Sequence, residues 1–123
     1  MIVKTLEDVA GTIGEAHGRK WHSMRVLLAQ DGMGVTLTDS ILEKGFKMTL
    51  WQKHHLEACY CLEGAATVEE LDTGKIHLIR PGTVYAMNAH DRHRIHVQKR
   101  MRLICTFHPA LTGEETHDAD GSL

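Results

Sequence analysis

The chain has 123 residues, enough to bury one hydrophobic core but too few for two ordinary domains. Charged residues make up 24% and apolar residues 42%, and the formal net charge is −2, so neither nucleic acid nor an anionic membrane is indicated as a partner. No apolar run approaches the ~20 residues that span a bilayer, and residues 1–10 lack the basic-then-apolar order of a signal peptide.

The cysteine and histidine content indicates a compartment and a kind of chemistry. The three cysteines, Cys59, Cys61 and Cys105, include no Cys-x-x-Cys pair, so we expect no disulfide framework and predict a reducing cytoplasm. Cys59 and Cys61 are interpreted as small core residues, with contact to a metal ion as the alternative. The ten histidines favour a metal or acid–base role without locating it.

Short apolar segments between turn-forming residues predict a chain built almost entirely from β-strands. We expect an edge strand at residues 1–6 and a polar loop with one helical turn at 7–18. Further strands are predicted at residues 21–29, 35–42, 46–54, 66–71, 75–79, 84–87, 92–97 and 101–107. Turns are expected at residues 31–34, 63–64, 72–74 and 80–83. This pattern indicates an all-β sandwich or barrel.

Residues 51–64, WQKHHLEACYCLEG, concentrate the reactive side chains. A carboxylate among apolar neighbours on a strand needs a partner, because an unpaired buried charge is costly. Candidate partners lie in residues 81–93, PGTVYAMNAHDRH, where a hard or borderline metal ion would satisfy Glu57, Tyr85 and His93 together. On a strand, the face that carries the glutamate would hold Lys53, His55, Glu57, Cys59 and Cys61.

The spacing of these residues resembles the two motifs of the cupin family. The first motif, with both of its histidines replaced, is kept by Gly45, Trp51, Lys53, Glu57 and Gly64. The second places proline and glycine ahead of a histidine, and here Pro81-Gly82 is followed three residues on by Tyr85. The resemblance implies an all-β, jelly-roll-like cupin barrel whose usual three-histidine metal set has been rebuilt around Glu57.

Longer segments resemble the ectoine synthase family, in the same order and along nearly the whole chain. They are DGMG (31–34), HLEACYCLEG (55–64), IRPGTVYAMNAHDRH (79–93) and LTGEETHDADGS (111–122). The resemblance implies a homodimeric cupin that uses iron(II), with zinc or another divalent metal as the alternative. Its small-molecule substrate would be N-γ-acetyl-L-2,4-diaminobutyrate, which loses water as it closes to the compatible solute ectoine.

The resemblance also implies a role for individual positions. The family's metal ligands fall on Glu57, Tyr85 and His93, the trio already chosen from the residues themselves. Its substrate-contacting positions fall on Trp21, Arg25, Phe107, Glu115 and His117. Of these, Arg25 is expected to hold the substrate carboxylate, while Trp21 and Phe107 exclude water. Proton transfer is open between Tyr85, Glu115 and His117.

Three substrate-facing positions depart from the family pattern. Gln52 stands where a tyrosine is usual, and Thr38 and Ser40 alter two polar positions of the wall. These departures leave two alternatives open. One is a cupin that cyclises a related amino-acid amide, and the other is a non-catalytic cupin that binds a small ligand.

The last segment of the chain poses a conflict. Residues 111–123 are polar and acidic, and their composition alone predicts a flexible tail after a barrel domain of residues 1–110. The resemblance nevertheless puts the substrate-contacting positions Glu115 and His117 inside that tail. The predicted flexibility and the substrate contacts are compatible if the tail is a lid over the barrel mouth, with Thr112-Gly113 as its hinge.

Overall fold

A computed structural model describes all residues from 1 to 123. Its helices are α1 (Leu6–Val9) and a single 3-10 turn at Ala29–Asp31, and neither has the length and hydropathy needed to cross a bilayer. The strands are β1 (Glu15–Gly18), β2 (Trp21–Leu27), β3 (Thr36–Leu42), β4 (Lys47–Leu50), β5 (Leu56–Glu70), β6 (Ile76–Ile79), β7 (Val84–Met87) and β8 (His93–His108). The all-β prediction is confirmed.

The strands form one antiparallel sheet that folds over on itself. Strands β5 and β8 pair along its middle, and they pass from one arm of the sheet into the other. In the first arm they are flanked by β3 and β7, with β2 and β1 beyond β3; in the second arm they are flanked by β4 and β6. Residues of both arms line one cavity, so the arms face each other as in a jelly roll. The outer strands do not pair with each other, and the predicted barrel is therefore open rather than closed.

The two central strands are longer than the sequence pattern predicts. They contain 15 and 16 residues, and the turn expected at residues 63–64 is wrong, because β5 continues through it with register shifts. Gly64 has φ of +92°, and a Cβ atom there would lie 2.2 Å from the carbonyl oxygen of Arg100 on β8. This glycine marks a bulge where the two backbones approach closely. The break expected between residues 97 and 101 is likewise absent from β8.

The beginning of the chain forms a helix where an edge strand was predicted. The hydroxyl of Thr5 accepts a hydrogen bond from the Asp8 amide at 3.2 Å, and the Asp8 carboxylate accepts one from the Thr5 amide at 2.9 Å. This capping box starts α1, so the prediction of a strand at residues 1–6 is wrong. The edge of the sheet is β1, which lies inside the predicted loop at residues 7–18.

The inner faces of the two arms form the core. Every second residue of β8 is buried over most of its length, including Ile95, Val97 and Met101. The three cysteines are buried and free, as expected for small core residues without a disulfide framework. The same inward rows supply the walls of the cavity, so packing and site are built by one set of strands.

The tail packs across one end of the folded sheet. Leu111 is fully buried, and its amide donates to the hydroxyl of Thr36 at 2.8 Å. Ser122 is 1% exposed, and its hydroxyl accepts a hydrogen bond from the Lys53 amide at 3.1 Å. The structure places the tail against the sheet, where composition predicted disorder. Composition misses these contacts because they involve largely backbone groups. The tail is therefore held near both of its ends.

Candidate active site

A cavity lies between the two arms of the sheet, beside the tail. Water-sized spheres can reach about 100 Å³ inside it, and all the space out to its open mouth amounts to about 730 Å³. Of its 21 lining residues, 13 are hydrophobic, so a bound molecule would be largely shielded from water. This lining suits a small organic ligand.

One wall of the cavity is a row of side chains that crosses five neighbouring strands in register. Paired residues on adjacent strands point to the same face of a sheet, so the whole row faces inward. A cation stands at one end of the row, a phenol at the other, and two thiols lie between them. In strand order the row is Arg25, Thr38, Cys105, Cys59 and Tyr85.

The structure brings ten of the eleven predicted site residues together around this cavity. The first arm and the tail supply most of them, while His93 comes from the start of β8 in the second arm. The residue that does not line the cavity is Glu115. The ten that do are Trp21, Arg25, Thr38, Ser40, Gln52, Glu57, Tyr85, His93, Phe107 and His117.

Glu57 presents its carboxyl to the interior of the cavity. It lies on β5 opposite Phe107 of β8 and Met87 of β7, two apolar neighbours. Burial raises its pKa to about 7, and a hydrogen bond with Cys59 opposes that rise. A carboxylate that lacks water gains most from a nearby cation. Its position therefore fits a metal ligand.

Tyr85 and His93 approach the same space from β7 and β8, with their ring centroids 6.3 Å apart. The Nδ1 of His93 lies 3.0 Å from the Asp91 carbonyl oxygen, which can only accept, so Nδ1 donates and Nε2 keeps a lone pair. Burial lowers the pKa of His93, which favours the neutral ring that a ligand must be. Burial, with acidic neighbours, raises the pKa of the Tyr85 phenol. Together with Glu57, these donors fit iron(II) or zinc.

Arg25 stands at the far end of the row and is only 5% exposed. Its guanidinium donates to the backbone carbonyl of Glu115 at 3.3 and 3.4 Å. His117 reaches the cavity from the tail and packs edge-on against Trp21, with ring centroids 5.9 Å apart. Burial and the charge of Arg25 lower the pKa of His117, so this imidazole also favours its neutral form.

The carboxylate of Glu115 turns back onto the tail. It accepts hydrogen bonds from the Thr112 amide at 2.8 Å, the Gly113 amide at 2.9 Å and the Thr112 hydroxyl at 3.0 Å. Burial alone would raise its pKa, but these hydrogen bonds hold the pKa below its usual value. In this conformation Glu115 shapes the tail and presents its carbonyl oxygen, rather than its carboxylate, to Arg25.

Residues 1–123 match the family model described as ectoine synthase. The chain belongs to the ectoine synthase family. An L-ectoine synthase from Desulfosudis oleivorans is 48% identical over 123 residues, which cover 99% of this chain and 95% of that protein. Another from Oceanobacillus iheyensis is 46% identical over 121 residues, which cover 98% and 94%.

Solved structures agree with this ectoine synthase assignment and with the predicted cupin class. The crystal structure of ectoine synthase from P. lautus has a TM-score of 0.90 at 40% identity, covering 98% of this chain and 87% of that one. An RmlC-like cupin from Shewanella frigidimarina has a TM-score of 0.65 at 20% identity, covering 78% and 82%, which shows a shared fold alone. The cupin prediction is confirmed.

Gln52, which departs from the ectoine synthase pattern, lines the cavity and is only 2% exposed. Its side-chain oxygen accepts a hydrogen bond from the Leu123 amide at 3.0 Å, and its backbone carbonyl accepts one from His90 at 2.8 Å. Strand alternation counted back from Glu57 would turn the Gln52 side chain outward. The alternation does not extend to Gln52, because residues 51–55 form the connection between β4 and β5. The side chain thus joins the cavity wall to the tail.

Thr38 and Ser40, the other two departures, form a polar strip on the wall. Ser40 donates to the hydroxyl of Ser23 at 2.8 Å and lies 3.4 Å from that of Thr38. Ser23 and Cys105 also line the cavity, and the sequence gave no sign of either role. Both depend on the pairing of distant strands, which local spacing does not reveal.

Proposed function

We propose that this chain closes N-γ-acetyl-L-2,4-diaminobutyrate to ectoine with loss of water, as a carbon–oxygen hydro-lyase. Membership of the ectoine synthase family along residues 1–123 carries the proposal, and a mostly apolar cavity that most of the predicted site residues line supports it. We place the enzyme in the cytoplasm, as a homodimer, where its product would serve as a compatible solute under osmotic stress.

Arg25 would hold the substrate. A planar guanidinium pairs with a carboxylate through two hydrogen bonds. Its present bonds to the Glu115 carbonyl are long, at 3.3 and 3.4 Å, so a substrate carboxylate can replace them. The substrate would then extend along the row of side chains toward Tyr85. Trp21 and Phe107 would wall it in and keep water out, which favours a reaction that expels water.

The reaction replaces a carbon–oxygen double bond by a carbon–nitrogen double bond. The substrate's α-amine attacks the acetamide carbon to form the first carbon–nitrogen bond, and the carbonyl oxygen leaves as water when the second one forms. Both protons of the amine must reach that oxygen. His117 has the neutral ring that can accept one and return it. The hydroxyl of Tyr85 is the second candidate for delivering a proton to the departing oxygen, provided that the Tyr85 oxygen is not bound to the metal at that step.

Glu57, Tyr85 and His93 would hold a divalent metal ion, with iron(II) preferred and zinc as the alternative. When bound, this ion supplies a Lewis acid for the amide oxygen, which is needed because amide carbonyls are poor electrophiles. Because Nδ1 of His93 is hydrogen-bonded to the Asp91 carbonyl oxygen, Nε2 would be the nitrogen that binds the metal.

The test is metal analysis of protein purified without oxygen, followed by an NMR assay for ectoine. We expect about one metal ion per chain and conversion of the acetylated diamino acid, with both lost in Glu57→Ala. Glu63→Ala, an exposed residue of the same strand, serves as the matched control and should keep both. Binding of the substrate without turnover would favour a non-catalytic cupin instead.

A second enzymatic function keeps the site but changes the substrate. The observation behind it is Gln52, whose amide borders the cavity where the family pattern has a tyrosine. Acetylated diamino acids one carbon shorter or longer, assayed beside the expected substrate, decide the matter. A higher kcat/KM for one of these would replace ectoine formation as the main activity.

A further inference from the structure

Cys59 and Cys105 stand side by side at the centre of the cavity wall. They are directly opposed on β5 and β8, they are 3% and 4% exposed, and both are free thiols. One carboxylate oxygen of Glu57 and the two Sγ atoms all lie within 4.8 Å of one another. The cluster therefore gathers three metal-ligating atoms on one rigid ladder.

The chemistry of this cluster differs from that of the proposed catalytic set. Thiolates bind soft and borderline ions such as Cd²⁺ and Zn²⁺ strongly, whereas iron(II) catalysis was assigned above to oxygen and nitrogen donors. Two sulfurs and one carboxylate are three of the four donors that zinc-like ions take, and the adjoining cavity leaves room for a fourth ligand. The proposed reaction gives neither thiol a chemical role, although both border the space in which the substrate would lie.

We propose that Glu57, Cys59 and Cys105 form a second metal site, selective for thiophilic divalent ions. Each thiol releases its proton to solvent as its bond to the ion forms. The site shares Glu57 with the proposed catalytic set, and in that respect it rests on the proposed function. The two sites compete for Glu57, so a soft ion held by the thiol pair and this carboxylate takes a ligand away from the productive metal.

The test is titration of Cd²⁺ into full-length, metal-free protein under a non-thiol reductant, with thiolate-to-metal charge transfer followed in the ultraviolet. We expect one equivalent to produce the absorption band in the wild type. Cys59→Ser and Cys105→Ser each leave one thiolate in the cluster, so each should weaken the band and bind Cd²⁺ about tenfold more weakly or worse. If both serine variants keep the band and the affinity, the site is wrong.

Cys61 provides the matched control. It is a fully buried cysteine of the same strand, but its Sγ lies 3.3 Å from the Glu63 carbonyl oxygen and it does not line the cavity. Cys61→Ser should therefore keep the wild-type band, and loss of the band in this variant would overturn the assignment. If a serine variant fails to fold, ¹¹³Cd NMR of the wild type decides. A deshielded resonance, as sulfur ligands give, supports the site, and a shielded resonance typical of oxygen and nitrogen ligands alone refutes it.

Competition separates this proposal from the proposed function. One equivalent of Cd²⁺ added before iron(II) should abolish ectoine formation by the wild type, while Cys105→Ser should need more Cd²⁺ for the same inhibition. Equal inhibition of the two proteins would show that Cd²⁺ acts elsewhere. Absence of any ectoine formation with iron(II) alone would refute the proposed function, and the absorption titration would still decide the thiol site.

Discussion

The raised pKa of Glu57 leads to a quantitative prediction about the stability of the metal-free protein. Its pKa of about 7 lies about 2.5 pH units above 4.5, the value for a solvated glutamate. A raised carboxyl pKa means that the folded state resists ionisation, so the metal-free protein loses stability as the pH rises from 4.5 to 7. At about 1.4 kcal/mol per pH unit, the total loss is about 3.5 kcal/mol, and about 2.5 kcal/mol of it develops between pH 5 and pH 8.

Replacement of this residue by an isosteric neutral amide should remove the effect. We expect the free energy of unfolding of chelator-treated Glu57→Gln to exceed that of the wild type by about 2.5 kcal/mol more at pH 8 than at pH 5. Urea denaturation followed by tryptophan fluorescence at fixed protein concentration measures this difference. Glu63→Gln, which changes an exposed carboxyl of the same strand, should behave as the wild type does. If Glu57→Gln and the wild type lose stability in parallel as the pH rises, burial does not raise the pKa of Glu57.

Four further changes test the site. His93→Ala should lose bound metal and turnover while keeping a folded β protein, and metal analysis showing a full complement would contradict its assignment as a ligand. Tyr85→Phe should lower kcat by roughly 100-fold, whereas a near-normal rate would leave the ring a packing residue. Gln52→Tyr should change KM or kcat, and unchanged kinetics would remove position 52 from substrate binding. Truncation after Leu111 should keep fold and metal content but raise KM about tenfold, about 1.4 kcal/mol of binding; full activity would refute the lid.

The alternation of residues along β5 was enough to predict which of its side chains face the site. Alternation along β5 places Glu57, Cys59 and Cys61 on one face, and all three side chains point into the interior. Tyr85 and His93, expected as partners of Glu57 from residues 81–93, line the same cavity. These predictions succeed because a strand has a fixed period of two and the relevant residues lie within one strand or directly after a turn.

Pairing between distant strands was not accessible from local pattern. Gly64 reads as a turn residue, but its role depends on the carbonyl of Arg100, which only the β5–β8 ladder brings close. The tail reads as disordered because its side chains are polar, yet Leu111 and Ser122 are held by hydrogen bonds to residues far away in the chain. The start of α1, in contrast, has a local signal that the strand prediction for residues 1–6 overlooked, since Thr5 and Asp8 have capping-box spacing.

The sharing of β5 and β8 between both arms has a consequence for local opening. Neither arm can separate from the other without breaking the central ladder, so the two arms should unfold as one cooperative unit. Amide hydrogens of β5 and β8 will then exchange with solvent only through global unfolding. The tail crosses no such ladder and is held by a few bonds, so its amides will exchange through smaller openings. If the tail is the lid proposed above, its release would open the cavity to the substrate while the walls keep their shape.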